Sequence, residues 1–515
     1  MSLSHSVSSS PENDLNFHFQ RRRVLAGLFA GSVISATTGF ARDIDPVVLR
    51  SDAVPTLHRV RMTVEVKGNV SLAKNPIASR DIDLRMPMKT EATLDFEQNR
   101  MVKRNTSDSA GEMEIVGSRR YFHEAKSSGT IGRRSFAHEL RNQLREIDVV
   151  RHEGKLLTVA TDAFLERDES ELLETPVDST NLEAWLPMEA VMVGDQYTLE
   201  APELLEVLPL SSVDSSNVVV KVTELDDQAA KFEIKGQLDG SVEGVLTRVR
   251  LVGKMNFDRE SSTCDWLALA IHETRGVGLA EPGLDVSATI KMIRKPLDKP
   301  VKLPKFSKSQ TQSWLSRYRE GVADDRLYLA LESQSLGFDA LMSRDWRLMS
   351  DIPGSAMLRC IQDDRSVAQC DVKRLPNTPE GKQLTIEAFQ EDVKQTLGEQ
   401  LGQLTKAQQG VSAGGLRVLR VAASGKASGV PIDWIFLHFS DDSGRRLLAT
   451  FTMQADQRYR FAGSDSQLAD SLRMSSKAPG TEMPAKEGEV AARISTKPEK
   501  TELQSVDPLS ASDLR

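Results

Sequence analysis

Gly429-Val430-Pro431-Ile432-Asp433-Trp434-Ile435-Phe436-Leu437-His438-Phe439-Ser440-Asp441-Asp442-Ser443-Gly444-Arg445-Arg446-Leu447-Leu448-Ala449-Thr450-Phe451-Thr452-Met453 reads as a β-hairpin. From Ile432 to Phe439 apolar side chains stand at both parities, which requires a strand covered on both faces. Ser440 to Gly444 are short polar residues ending in a glycine that tolerates positive φ, the chemistry of a turn. Leu447 to Met453 then runs back beside the first strand.

Around this hairpin, positions 325–474 form one expected unit. Leu327 to Leu331 reads as a strand, and Arg344-Asp345-Trp346-Arg347-Leu348 begins another. Met357 to Ile361 and Gln369 to Leu375 pair as a hairpin. Ile386, Phe389, Val393, Leu397, Leu401 and Leu404 share one face of a long helix that Thr385 caps. Leu416 to Val421 is a strand, and Phe461 with the Asp465 to Leu472 segment closes the unit. Trp346, the Leu384 to Leu404 helix, Gly415, Ile432 to Ile435, the Asp442-Ser443-Gly444 turn, and Asp465 with Leu472 together resemble the PsbP-like fold. That resemblance implies an antiparallel sheet with flanking helices. It also implies a scaffold that binds partners, with no catalytic residue to carry over.

Upstream, positions 296–324 carry Pro296, Pro300 and Pro304 among lysines and read as a solvated linker, with a helical lead-in from Trp314 to Val322. Positions 53–295 are dominated by period two. Val60, Met62, Val64 and Val66 alternate with polar residues, and Leu84 to Phe96 repeats the pattern. Glu97 to Arg100 reads as a turn, followed by polar loop as far as Gly132. Phe136, Leu140 and Leu144 fit a helix face, as does Leu165 to Leu173. Val245 to Phe257, Leu267 to Ile271 and Leu284 to Met292 are long strands joined by short turns. One of their faces is apolar and the other carries Arg248, Arg250, Lys254 and Asn256. Strand order and turn placement over residues 55–295 resemble LolA/LolB-like exported proteins. The resemblance implies a curved sheet wrapped round a groove for an apolar ligand, a lipid or acyl chain. The fold class expected is therefore α+β: an antiparallel β-rich curved sheet, then a PsbP-like sheet with flanking helices.

Positions 1–41 read as a secretory signal. Arg21, Arg22 and Arg23 precede an apolar run from Val24 to Ile34, and Gly39-Phe40-Ala41 places small residues at a cut before Arg42. Gln20-Arg21-Arg22-Arg23-Val24-Leu25 also resembles a twin-arginine signal; an ordinary signal and a retained anchor remain the other readings. The run falls short of the ~20 apolar residues of a comfortable span, so no stable transmembrane span is expected after cleavage. Export to the periplasm or cell surface follows. Positions 475–515 lack aromatic residues and periodicity and are expected to be disordered.

A net charge of −8 without a basic stripe argues against nucleic-acid binding. Three cysteines provide no disulfide framework, but Cys360 and Cys370 fall in paired strands, where an exported protein would form either a cross-strand disulfide or two buried thiols. His123, His138, His152 and His272 each precede a glutamate, and none continues to a second histidine at zinc spacing. Gly410-Val411-Ser412-Ala413-Gly414 matches a nucleophile string, but a helix precedes it and a strand follows, the reverse of the order such an elbow needs. His438 reads as a core residue and Asp441-Asp442 as a turn. No cofactor is implied. The function expected is an exported, non-enzymatic binding or scaffolding protein with an unidentified protein or envelope partner. The alternatives are a carrier of an apolar ligand and a hydrolase assembled from residues such as His123, Asp195 and His272.

Overall fold

A computed structural model describes residues 46–49, 56–72, 85–104, 113–152, 155–319, 321–379 and 382–475. The expected signal, with Arg21, Arg22 and Ala41, and the tail beyond Ser475 lie outside the described residues. The described residues all belong to one compact unit.

The first sheet holds thirteen described strands, all paired antiparallel. In chain order they begin β1 Leu57–Ser71, β2 Arg85–Arg104, β3 Met113–Ile131, β4 Arg134–Glu139, β5 Glu146–His152 and β6 Lys155–Ala160. They continue β7 Gln196–Thr198, β8 Ser212–Ser216, β9 Val219–Leu225, β10 Ala229–Val242, β11 Val245–Asp258, β12 Thr263–Arg275 and β13 Gly283–Pro296. The order across the sheet is β6-β5-β3-β2-β1-β13-β12-β11-β10-β9-β7, with β4 beside β3 and β8 beside β10. β1 joins the early strands to the late ones by pairing β13 from His58 opposite Pro296 to Ser71 opposite Gly283.

Period two works as expected along β11, where Val249, Leu251, Met255 and Phe257 are buried and Arg248, Arg250 and Lys254 are exposed. The buried face is covered by the chain between β6 and β8, which carries helices α1 (Arg167–Leu173) and α2 (Ala201–Val207). Trp185, Leu204 and Val207 from this cover share one core with Val60, Phe96 and Leu251 of the sheet. Each such side chain contributes roughly 1.5–3 kcal/mol on burial.

Three expectations fail in this region. β2 runs straight through Glu97–Arg100, where a turn was expected, because the polar side chains there are bonded inside the protein. β3 replaces the expected loop, presenting Phe122 and Ala125 to the core. Phe136 lies in strand β4, so no helix links it to Leu140 and Leu144, although both leucines are buried.

Residues 296–324 are not a solvated tether. Helix α3 (Lys308–Arg317), capped by Ser307, places Trp314 against Met101, Val150 and Val159, and Tyr318 joins the same cluster. The backbone N–H groups of Val301, Lys302 and Leu303 donate to the Glu97 carboxylate at 2.8, 3.0 and 3.2 Å. Asp148 accepts from Trp314 Nε1 and Tyr318 Oη, both at 2.8 Å, and from Arg119. Two buried carboxylates thus fasten this strap.

The later strands are β14 Leu329–Ser333, β15 Phe338–Met342, β16 Trp346–Ile352, β17 Ser355–Gln362 and β18 Arg365–Leu375. They are followed by β19 Leu401–Val411, β20 Arg417–Ala427, β21 Val430–Ser440, β22 Arg446–Gln454 and β23 Arg473–Met474. Seven form a sheet ordered β16-β17-β18-β22-β21-β20-β19, and β14-β15-β23 form a smaller one. Helix α4 (Ile386–Leu397) covers one face through Phe389 and Val393, which meet Leu419, Trp434 and Phe436. On the other face, Leu437, Phe439 and Phe451 pack with Phe461 of α5 (Arg458–Phe461) and Leu468 of α6 (Ser464–Ser471). Strand β21 is therefore covered on both sides, as its sequence requires.

Thr385 caps α4 by accepting the Ala388 N–H at 3.2 Å, but the helix stops at Leu397. Gly398 at φ +50° turns the chain, and Leu401 and Leu404 belong to edge strand β19 while still packing against the α4 core. Cys360 and Cys370 are not opposed: Cys360 faces Ala368 and Cys370 faces Leu358, and both are free buried thiols. This register sets them two residues apart along the ladder, so of the two readings it is the pair of buried thiols, not the cross-strand disulfide, that the structure has. Burial, with Asp345 nearby, pushes the Cys360 thiol up to about 12.

Candidate functional site

On the buried side of the first sheet, polar groups are spent on holding the cover in place. Arg294, fully buried, donates to the carbonyls of Cys264 at 3.2 Å and Ser179 at 2.8 Å and pairs with Glu183. Arg100 reaches the same carboxylate at 3.1 Å. Arg120 donates to Asp178 at 2.6 Å and Thr180 at 2.8 Å, its guanidinium lying over the Phe96 ring. Burial alone would push the Glu183 carboxyl up, but Arg294 and Arg100 hold it below its ordinary value. His58 is fully buried beside them. Burial first, then the charges of Arg294 and Arg100, drives its pKa far down, so the ring is neutral at physiological pH. This constellation anchors the segment around Asp178–Glu183. The sequence does not reveal it, because its members come from β1, β2, β3, the cover and β13.

The residues named for a dispersed hydrolase site are not brought together. His123 bonds Glu97 at 2.7 Å on β3, and His272 faces Ser287 at 3.3 Å on β12, with β2, β1 and β13 between them. Asp195 lies just before β7, at the far edge, accepting the Met192 N–H at 2.8 Å. Ser412 sits in the β19–β20 hairpin, strand on both sides, its hydroxyl accepting the Leu416 N–H at 3.1 Å. The helix expected before it is a strand, and no elbow forms. His438 is buried beside Phe389, and Asp441 is bonded to Ser443 and Arg445 within its turn. Among the described residues no three His, Cys, Asp or Glu side chains gather as a metal site. No described helix is long and apolar enough to cross a membrane.

The opposite, outward side of β1 and β10–β13 is the candidate functional surface. Trp266 is 38% exposed there, whereas Trp185, Trp314, Trp346 and Trp434 are at most 6% exposed. It stands directly across from Ile293 on β13, itself 44% exposed, and from Asn256 on β11. A shallow depression of about 390 Å³ opens beside the indole, with Lys231, Lys254, Glu224 and Met255 among its lining. Register breaks at Lys231/Phe232 and Asn256/Phe257 loosen the ladder at that point. Lys231 pairs with Glu224 at 2.5 Å and Lys254 with Glu233 at 3.5 Å. Lys235, Arg250, Lys291 and Lys295 are exposed and, among the described residues, have no carboxylate at ion-pair distance. The outward position of Trp266 was legible: inward Leu267, Leu269 and Ile271 leave it on the other parity.

No family model matches the chain, and no curated protein matches it. Among solved structures, a Bacteroides thetaiotaomicron protein aligns over 29% of this chain and 48% of its own at 13% identity and a TM-score of 0.21. A Pseudomonas aeruginosa protein of unknown function, described as a putative regulator, aligns over 31% of this chain and 99% of its own at 12% identity and a TM-score of 0.18. A structure concerned with lipid–protein interactions in lipovitellin aligns over 50% of this chain and 27% of its own at 7% identity and a TM-score of 0.25. The chain spans about half the length of the Bacteroides protein and about a quarter of lipovitellin. Similarity at this level assigns neither a fold family nor a function.

Proposed function

We propose that the protein is an exported, non-enzymatic binding or scaffolding protein of the periplasm or cell surface that works through the exposed faces of its sheets. One observation carries this reading. The first sheet's apolar side is filled by the protein's own chain, leaving the outward side of β1 and β10–β13, with Trp266, as the broad surface open to a partner. A second sheet covered by α4 on one face and by α5 and α6 on the other supports the PsbP-like, partner-binding reading of the C-terminal half. The carrier alternative needs the apolar side of the LolA/LolB-like half to be open, and Trp185, Leu204 and Val207 occupy it. A hydrolase would need His123, Asp195 and His272 to converge, and intervening strands separate them.

Fractionation of cells expressing the full chain, with N-terminal sequencing and native mass spectrometry, tests the proposal. The expected product starts at Arg42, is recovered from the envelope or periplasm, and carries no stoichiometric lipid. Recovery from the cytosol with an intact N-terminus would overturn export. A co-purifying acyl chain at one per protein would restore the carrier.

A further inference from the structure

Trp266 and Ile293 are cross-strand neighbours, so their side chains form one apolar protrusion on an outward face where β11 also exposes Leu246 and Val252 among its basic residues. Lys291 and Lys295 stand two residues either side of Ile293 along β13, roughly 7 Å away on the same face. Lys254 is in the adjoining row on β11, opposite Ala268, and Arg61 lies opposite Ile293 on β1. Arg61 is tied to Asp95 and Lys254 to Glu233, but Lys291 and Lys295 have no acidic neighbour at ion-pair distance among the described residues. The chain as a whole carries −8, so this concentration of cations runs against its overall charge. A merely solvated sheet face does not require an indole and an isoleucine to stand in water between ammonium groups. An indole at headgroup depth, with long cationic side chains reaching anionic lipid around it, satisfies both observations.

From this charge complementarity we infer that the outward face of β1 and β11–β13 docks on a bilayer containing anionic phospholipid. Trp266 and Ile293 enter the interface, and Lys291 and Lys295 pair with headgroup phosphates. This rests on the binding-protein reading above and names the surface that is bound.

The test uses the full chain with vesicles of equimolar phosphatidylglycerol and phosphatidylcholine, against phosphatidylcholine alone. Because the other four tryptophans are buried, quenching by brominated phospholipid reports Trp266. The expected result is flotation with the anionic vesicles only, a blue-shifted emission, and quenching that disappears in W266F. K291E/K295E should weaken partitioning about tenfold, and raised salt should weaken it further. Matching far-UV spectra and melting curves for the variants exclude misfolding. Flotation without quenching of Trp266 means attachment through another part of the chain and overturns the inference. So does retention on a sulfated polysaccharide with no vesicle binding. Either result leaves the binding-protein reading standing, whereas cytosolic recovery in the fractionation above removes that reading itself.

Discussion

Glu97 is a carboxylate with no exposed surface, held by three backbone N–H groups of the strap and by His123. Burial pushes its pKa up, but those bonds outweigh it and keep the carboxyl below its ordinary value. Glu97→Ala is expected to cost about 2–4 kcal/mol in urea unfolding. It should also open residues 297–322 to limited proteolysis at protease levels that leave the parent chain whole. His438 gives the opposite chemistry. Burial, then the charges of Arg446 and Arg417, lower its pKa from 6.5 to about 4. Between those values the unfolded chain binds the additional proton. The stability from keeping His438 neutral is therefore complete above pH 6.5 and is lost as pH falls toward 4, by roughly 3 kcal/mol. His438→Leu should flatten the acid limb of a stability–pH profile, measured by chemical unfolding from pH 7 to 4. His438 was legible as a core residue because its neighbours along the strand are apolar. Glu97 was misread as part of a turn because its partners at 301–303 lie about two hundred residues away.

At the scale of elements, the end of α4 shows how a periodic pattern misleads. Leu397, Leu401 and Leu404 fit a helix face, yet the last two reach the same core from a strand after the turn at Gly398. No atom lies within 4 Å of where a Gly398 side chain would begin, so only the backbone opposes substitution there. Gly398→Ala should cost about 1 kcal/mol through its positive φ. At Gly425 a new Cβ would instead collide with the Gln400 carbonyl. Gly425→Ala should lower the melting temperature further and expose the β19 amides to hydrogen exchange. Comparing the two variants separates backbone strain from steric eviction of the edge strand.

Across the whole molecule, the sheets are tied by guanidinium groups. Arg344 donates to Ser170 Oγ at 2.8 Å, to the Thr158 carbonyl, and to the Leu327 carbonyl at 3.2 Å. Arg167 returns from α1 to the carbonyls of Arg344 and Trp346 at 2.7 and 3.0 Å. Leu329 of β14 is buried in the core of the first sheet. Arg344→Ala should uncouple the halves, splitting the calorimetric transition or reducing its cooperativity, while each half keeps its own circular dichroism signal. What the sequence determined by itself is local: period two along β1 and β11–β13, the cap at Thr385, and the two-sided burial of β21. Those follow because side-chain parity and capping depend on a few neighbouring residues. Tertiary structure alone decided that β1 pairs with β13, that the residues between β6 and β8 fill the apolar side, and that residues 296–324 dock. It also decided that Cys360 and Cys370 are offset. Each of these depends on which distant chain satisfies a buried carboxylate, guanidinium or strand edge, and that choice leaves no periodic trace in the sequence.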